Sequence, residues 1–157
     1  MFITDKPLKG MKILVAEDQA LLALDMMLIL SKAGAEVIGP AMSVDRAIEL
    51  ARGEDLSCAV LDVRLRNKFI FPAADVLTEK GVQVVFHTGE PNPEAIAREW
   101  PHAKVLMKPA PLLALIKAVV EACAESQSRR TRTVIDGRNN LKSDTGLTKR
   151  EHELALD

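Results

Sequence analysis

The sequence predicts an α/β domain in which a parallel sheet of five strands carries helices on both faces. Three observations predict it. Five short apolar runs alternate with five segments whose apolar residues recur at helical spacing. The central run, Cys58-Ala59-Val60-Leu61-Asp62, is apolar without alternation, as in a strand buried on both faces. Between successive runs the chain is long enough for a right-handed helical crossover.

Taken in order, residues 1–10 read as a frayed leader punctuated by Pro7 and Gly10. Lys12 to Ala16 is the first strand. The helix Ala20 to Lys32 follows, with Leu21, Leu22, Leu24, Met27, Leu28 and Leu30 at helical spacing and Gly34 closing it. Glu36 to Pro40 is the second strand, ended by Gly39-Pro40. Ser43 is placed to cap a helix from Val44 to Arg52, with Ala47, Ile48 and Leu50 facing inward. After the central strand comes a loop holding Arg64, Arg66, Asn67 and Lys68, then a helix opened by Pro72 and running to about Lys80. Val82 to Phe86 is the fourth strand, followed by His87-Thr88-Gly89. Pro93 starts a short helix that must stop before Pro101. Ala103 to Met107 is the fifth strand. The last regular helix runs from Pro111 to about Ser126, with Leu112, Leu115, Ile116, Val119 and Val120 as its buried stripe.

Residues 127–157 read as a polar tail. Arg129, Arg130, Arg132 and Arg138 cluster there, and Gly137-Arg138-Asn139-Asn140 breaks any periodicity. Near its end, Thr148 stands three residues before Glu151, the spacing of a capping box that would open a short C-terminal helix.

Composition bounds the function. Apolar residues make up 48% and charged residues 27% of 157, an ordinary globular balance, and the formal charge of -1 supplies no general attraction to nucleic acid or an anionic membrane. No apolar stretch approaches the roughly 20 residues of a membrane span, and Met1 to Gly10 lacks a secretory layout. Cys58 and Cys123 are expected to be buried reduced thiols of a cytoplasmic protein.

Parallel strands deliver their C-terminal ends to one sheet edge, where such sheets hold their ligands. Glu17-Asp18, Asp62, Thr88 and Lys108 all stand at strand ends. Carboxylates brought together resist ionisation unless a cation compensates, and hard oxygen donors suit magnesium with several of its waters. A lysine and a hydroxyl opposite them provide a charge and a donor for an anion, most directly a phosphoryl group. Singly each of these residues is ordinary turn or cap chemistry. Jointly they describe a carboxylate that accepts a phosphoryl group beside a divalent metal.

At this point about residues 11–125 resemble the receiver domains of two-component response regulators, on Glu17-Asp18, Asp62, Thr88 and Lys108-Pro109 in register with the five βα units, which makes 11–126 the receiver domain. Phe86-His87-Thr88-Gly89 is also similar to the Phe-x-Thr-Gly of stand-alone alphaproteobacterial receivers, as is Phe71-Pro72-Ala73-Ala74-Asp75. The resemblance implies a flavodoxin-like (βα)5 fold, doubly wound, with strand order 2-1-3-4-5. It implies that Asp62 is the phosphoacceptor for a histidine kinase or histidine phosphotransfer protein. Glu17, Asp18, Asp62 and the backbone carbonyl of Arg64 would organise Mg2+, Lys108 would pair with the phosphoryl oxygens, and Thr88 would be the switch hydroxyl. Such a protein is a signalling phosphoacceptor rather than an enzyme, apart from slow self-catalysed phosphotransfer and dephosphorylation. Its expected partners are the phosphodonor and a downstream protein effector or a second copy of itself.

Three departures bear on the switch. Val105 stands where the family has an aromatic residue, Ala110 follows Lys108-Pro109 in place of Phe, and the loop after Asp62 carries Arg64, Arg66 and Lys68. His87 is expected to be no catalytic base, because phosphoryl transfer needs positioning more than proton abstraction. Glu90 reads as a surface residue. Leu147-Thr148-x-Arg150-Glu151-x-Glu153-Leu154 resembles the start of a helix-turn-helix domain, but the sequence provides no recognition helix after it, so we expect no nucleic-acid binding from this chain. The rival readings are a DNA-binding regulator lacking its effector domain and a phospho-independent docking module. A dehalogenase-type hydrolase is set aside, because it needs a second Asp where Arg64 stands.

Overall fold

The structure is a computed structural model and describes residues 5–136. Its strands are β1 (Lys12–Ala16), β2 (Glu36–Ala41), β3 (Cys58–Leu61), β4 (Arg64–Leu65), β5 (Lys68–Phe69), β6 (Gln83–Thr88) and β7 (Lys104–Met107). Its helices are α1 (Ala20–Lys32), α2 (Val44–Gly53), α3 (Phe71–Glu79), α4 (Pro93–Glu99) and α5 (Leu112–Asp136). Five strands form one parallel sheet in the order β2-β1-β3-β6-β7. With the short β4–β5 hairpin left out of the numbering, this is the expected order 2-1-3-4-5.

The central strands β1, β3 and β6 are buried on both faces, which is why their sequences do not alternate. One face packs against α2, α3 and α4 around Leu61, Phe71, Phe86 and Trp100. The other packs against α1 and α5 around Ile13, Val15, Met26 and Val119. Ser43 caps α2 as expected, its Oγ accepting the Arg46 N–H at 3.2 Å. Asn92 caps α4 in the same way through the Ala95 N–H, a cap the sequence reading passed over in favour of Pro93.

Several local expectations are corrected. Leu8 is fully buried in the α1/α5 core and its N–H donates to Ala33 O at 2.9 Å, so residues 5–10 are not a frayed end. Gly39-Pro40 does not end β2: the strand runs on to Ala41 through an irregularity opposite β1. Gly39 makes that passage possible. Its φ is +120°, and a Cβ there would stand 2.5 Å from Val15 O.

Helix α1 buries Ala23, Met26 and Leu30, while Leu21, Leu24 and Leu28 face solvent. With leucines on nearly every face, its spacing alone could not choose the inner one. In α2 the fully buried residues are Val44, Ala47 and Ala51, with Ile48 and Leu50 only half-buried. In α5 the stripe is Leu115, Ile116, Val119, Ala122 and Cys123, and Leu112 is exposed. That helix also passes Ser126 and continues to Asp136. Polarity suggested a linker, but no Gly or Pro interrupts the helix before Gly137. The capping box near Thr148 lies outside the described residues.

Candidate phosphoacceptor site

Glu17 and Asp18 leave β1, Asp62 leaves β3, Thr88 ends β6 and Lys108 leaves β7. The sheet therefore brings all five to its C-terminal edge, as the sequence predicts. Side-chain oxygens of Glu17, Asp18 and Asp62 come within 4.8 Å of one another. Lys108 Nζ donates to Glu17 Oε2 at 2.9 Å and to Asp62 Oδ2 at 3.0 Å. Glu17 is fully buried, and its other oxygen accepts the Gln19 N–H at 3.1 Å.

These contacts set the protonation balance. Burial pushes the Glu17 carboxyl above its ordinary value, Asp62 adds to this, and the Lys108 ammonium and the Gln19 N–H oppose it. Burial pulls the Lys108 ammonium down, but the hydrogen bonds to Glu17 and Asp62 outweigh that and leave it raised. One ammonium thus bonds two carboxylates of a cluster of three. A hard divalent cation matches that donor set, and Glu17, Asp18 and Asp62 are the side chains that fit it.

The loop after Asp62 is more ordered than expected. Instead of open loop it forms the β4–β5 hairpin, with Arg64 opposite Phe69 and Leu65 opposite Lys68. Its two turn residues, Arg66 (φ 47°) and Asn67 (φ 64°), are both left-handed, as a two-residue type I′ turn requires. Asn67 supplies the turn signal, whereas Arg66 is an unusual residue there. The site itself holds the turn, since the Arg66 N–H donates to Asp18 Oδ2 at 3.0 Å. The Arg64 N–H donates to Asp62 Oδ1 at 3.3 Å.

Thr88 is buried at the rim, and its Oγ1 accepts the Glu90 N–H at 2.9 Å. Its main-chain carbonyl accepts the Lys108 N–H at 2.8 Å, which ties the ends of β6 and β7 together. Glu90 is more than a surface residue, because it receives Arg64 Nε at 2.9 Å. His87 is buried, and neither ring nitrogen has a hydrogen-bond partner among the described residues. Burial first, and Lys108 second, depress its basicity.

A solved response regulator receiver protein from Sinorhizobium medicae superposes with a TM-score of 0.68 at 28% identity, over 76% of this chain and 98% of its own. The chain has the response-regulator receiver fold. A CheY-like receiver domain from Methanospirillum hungatei shares that fold with a TM-score of 0.67 at 18% identity, over 76% of this chain and 98% of its own. Among curated proteins, the transcriptional regulatory protein PdtaR of Mycobacterium tuberculosis is 28% identical over 111 residues, 69% of this chain and 54% of that protein. The chain thus spans about half the length of the curated relatives it matches. No family model matches it. Among the described residues no helix is long and apolar enough to cross a membrane.

Proposed function

We propose that this receiver is a phosphorylation-controlled switch of a two-component system, with Asp62 as its phosphoacceptor. The observation that carries the reading is the placement of Asp62: its carboxylate meets Lys108 at 3.0 Å, inside a cluster with Glu17 and Asp18, at the ligand edge of the sheet. An Asp62 oxygen attacks the phosphorus of a phosphohistidine, the P–N bond breaks, and the imidazole leaves. Lys108 then pairs with the phosphoryl oxygens, and Thr88 turns its hydroxyl toward them. Mg2+ held by Glu17, Asp18, Asp62 and the Arg64 carbonyl would offset the charge on those oxygens.

The donor is a histidine kinase or histidine phosphotransfer protein. An apolar docking face for it is at hand: Leu21, Leu24 and Leu28 lie exposed along α1, which begins beside Glu17, and Leu112 and Leu113 lie exposed where α5 begins. The downstream partner is a protein effector or a second copy of the chain, and the cytoplasm is the compartment. The receiver domain takes in the segment around Leu8, which packs into its core, and α5 carries the chain on from it past Ser126. We infer no enzymatic role beyond slow self-catalysed phosphotransfer and dephosphorylation.

Intact-protein mass after incubation with acetyl phosphate and magnesium tests the reading, on wild type and Asp62→Asn. A phosphoryl mass on the wild type alone is the expected result. An equal gain on Asp62→Asn, or none on a folded wild type, would sink the assignment of Asp62.

A further inference from the structure

Arg64 and Glu90 connect the two loops that flank Asp62. Arg64 lies two residues after Asp62, and its main-chain N–H already touches Asp62 Oδ1. Its side chain engages other partners. Nε donates to Glu90 Oε1 at 2.9 Å, and the guanidinium carbon lies 4.5 Å from the centre of the Phe69 ring. Phe69 belongs to the opposite strand of the same hairpin, so the guanidinium is held over a fixed platform. Glu90 is held from a second direction, because its N–H donates to Thr88 Oγ1. Asp62, Arg64, Glu90 and Thr88 are therefore linked in that order by hydrogen bonds.

We propose that the Arg64–Glu90 ion pair is a charge latch that passes the state of Asp62 to the loop between β6 and α4. This deepens the phosphoacceptor reading and rests on it. A phosphoryl group on Asp62 places several anionic oxygens beside the start of the Arg64 side chain. Phosphoryl oxygens suit the guanidinium fork better than one carboxylate oxygen held through Nε alone. Arg64 exchanges Glu90 for the phosphoryl group. Glu90 then loses its cation, and the loop that bonds Thr88 Oγ1 is no longer held from both ends. The half-exposed pair suits such an exchange. A partly solvated ion pair biases an equilibrium only roughly two- to fivefold, enough to set a resting position and weak enough to be displaced. The latch also gives this receiver a route to its surface that bypasses Val105.

The test follows the Arg64 Nε–H and the residue-90 amide by NMR, with intact mass read on the same samples. Acetyl phosphate and magnesium should shift both signals together in the wild type. In Glu90→Gln, the Arg64 Nε–H should be displaced already at rest. Arg64→Gln, which keeps the main-chain carbonyl assigned to Mg2+, should show less than roughly half of the wild-type shift at residue 90 for the same phosphoryl mass gained. An Arg64→Gln protein that gains the mass and shifts in full at residue 90 would overturn the latch alone. An unmoved Nε–H in resting Glu90→Gln would do the same. A folded wild type that gains no mass would overturn the phosphoacceptor reading and the latch with it.

Discussion

Lys108 Nζ stands 2.9 Å from an oxygen of Glu17, a carboxylate with no exposure to solvent. Burial disfavours a charge on Glu17, and that ammonium, which also meets Asp62, opposes it together with the Gln19 N–H. Removing one partner of a buried pair strands the other, which ordinarily costs about 3–5 kcal/mol, less here because Lys108 itself is partly exposed. Lys108→Met should therefore lose about 2 kcal/mol in urea titrations without divalent cation. Millimolar magnesium should restore more of that loss than it adds to the wild type, since the variant's three carboxylates lack their resident cation. Equal magnesium stabilisation of both proteins would show that Lys108 and the metal do not share this charge.

His87 predicts a pH dependence. Its folded basicity is depressed by burial and by Lys108, below an ordinary value of 6.5. Above that pH both folded and unfolded chains carry a neutral imidazole and the residue contributes no slope. As pH falls below it, the unfolded chain takes up a proton that the folded chain refuses. Stability should therefore decline from about pH 6.5 downward until the folded imidazole protonates too. His87→Leu, which also removes two unpartnered nitrogens, should flatten this part of the profile and add about 1 kcal/mol at pH 7. Thermal melts at closely spaced pH values between those limits check it, and an unchanged slope in His87→Leu would assign the pH dependence elsewhere.

How much of this was legible in the sequence depends on the range of the deciding interaction. The strand alternation and the positions of Glu17, Asp62, Thr88 and Lys108 follow from local pattern plus one rule, that parallel strands end on one edge. The inner face of α1 was not legible. Leu21, Leu24 and Leu28 look as apolar as Met26 and Leu30, and only packing against the sheet separates them. The Arg64–Glu90 contact spans 26 positions, and nothing near either residue encodes it. Asn67 was a usable hairpin signal, but its partner Arg66 adopts a left-handed turn because Asp18, 48 positions away, accepts its N–H.

Leu8 should prove part of the domain rather than a dispensable leader residue. It is wholly buried beside Met26, Leu30 and Ala33. Leu8→Ala leaves a cavity between the chain start and α1, for which about 2–4 kcal/mol is the usual loss. A lowered urea midpoint with an unchanged slope would be the signature. A shift equivalent to under about 1 kcal/mol would mean that the segment detaches freely in solution.

Gly39 offers the sharpest test of the sheet edge. Two independent constraints meet there: a φ of +120° that side-chain-bearing residues rarely adopt, and the Val15 carbonyl 2.5 Å from where a Cβ would stand. The obstacle is backbone of the neighbouring strand β1, so it cannot turn aside as a flexible side chain would. Gly39→Ala must either push β2 off β1 or rotate the bulge. The strain alone is worth about 1–3 kcal/mol, and lost pairing adds to it. Glu17 follows Val15 by two residues, and its N–H donates to Ala41 O at 3.0 Å, just past the bulge. Disturbing Gly39 therefore reaches the acidic cluster through that hydrogen bond. Gly39→Ala should lower both the unfolding midpoint and magnesium affinity, whereas a variant that loses stability with magnesium affinity intact would show that the cluster is positioned by β1 and β3 alone.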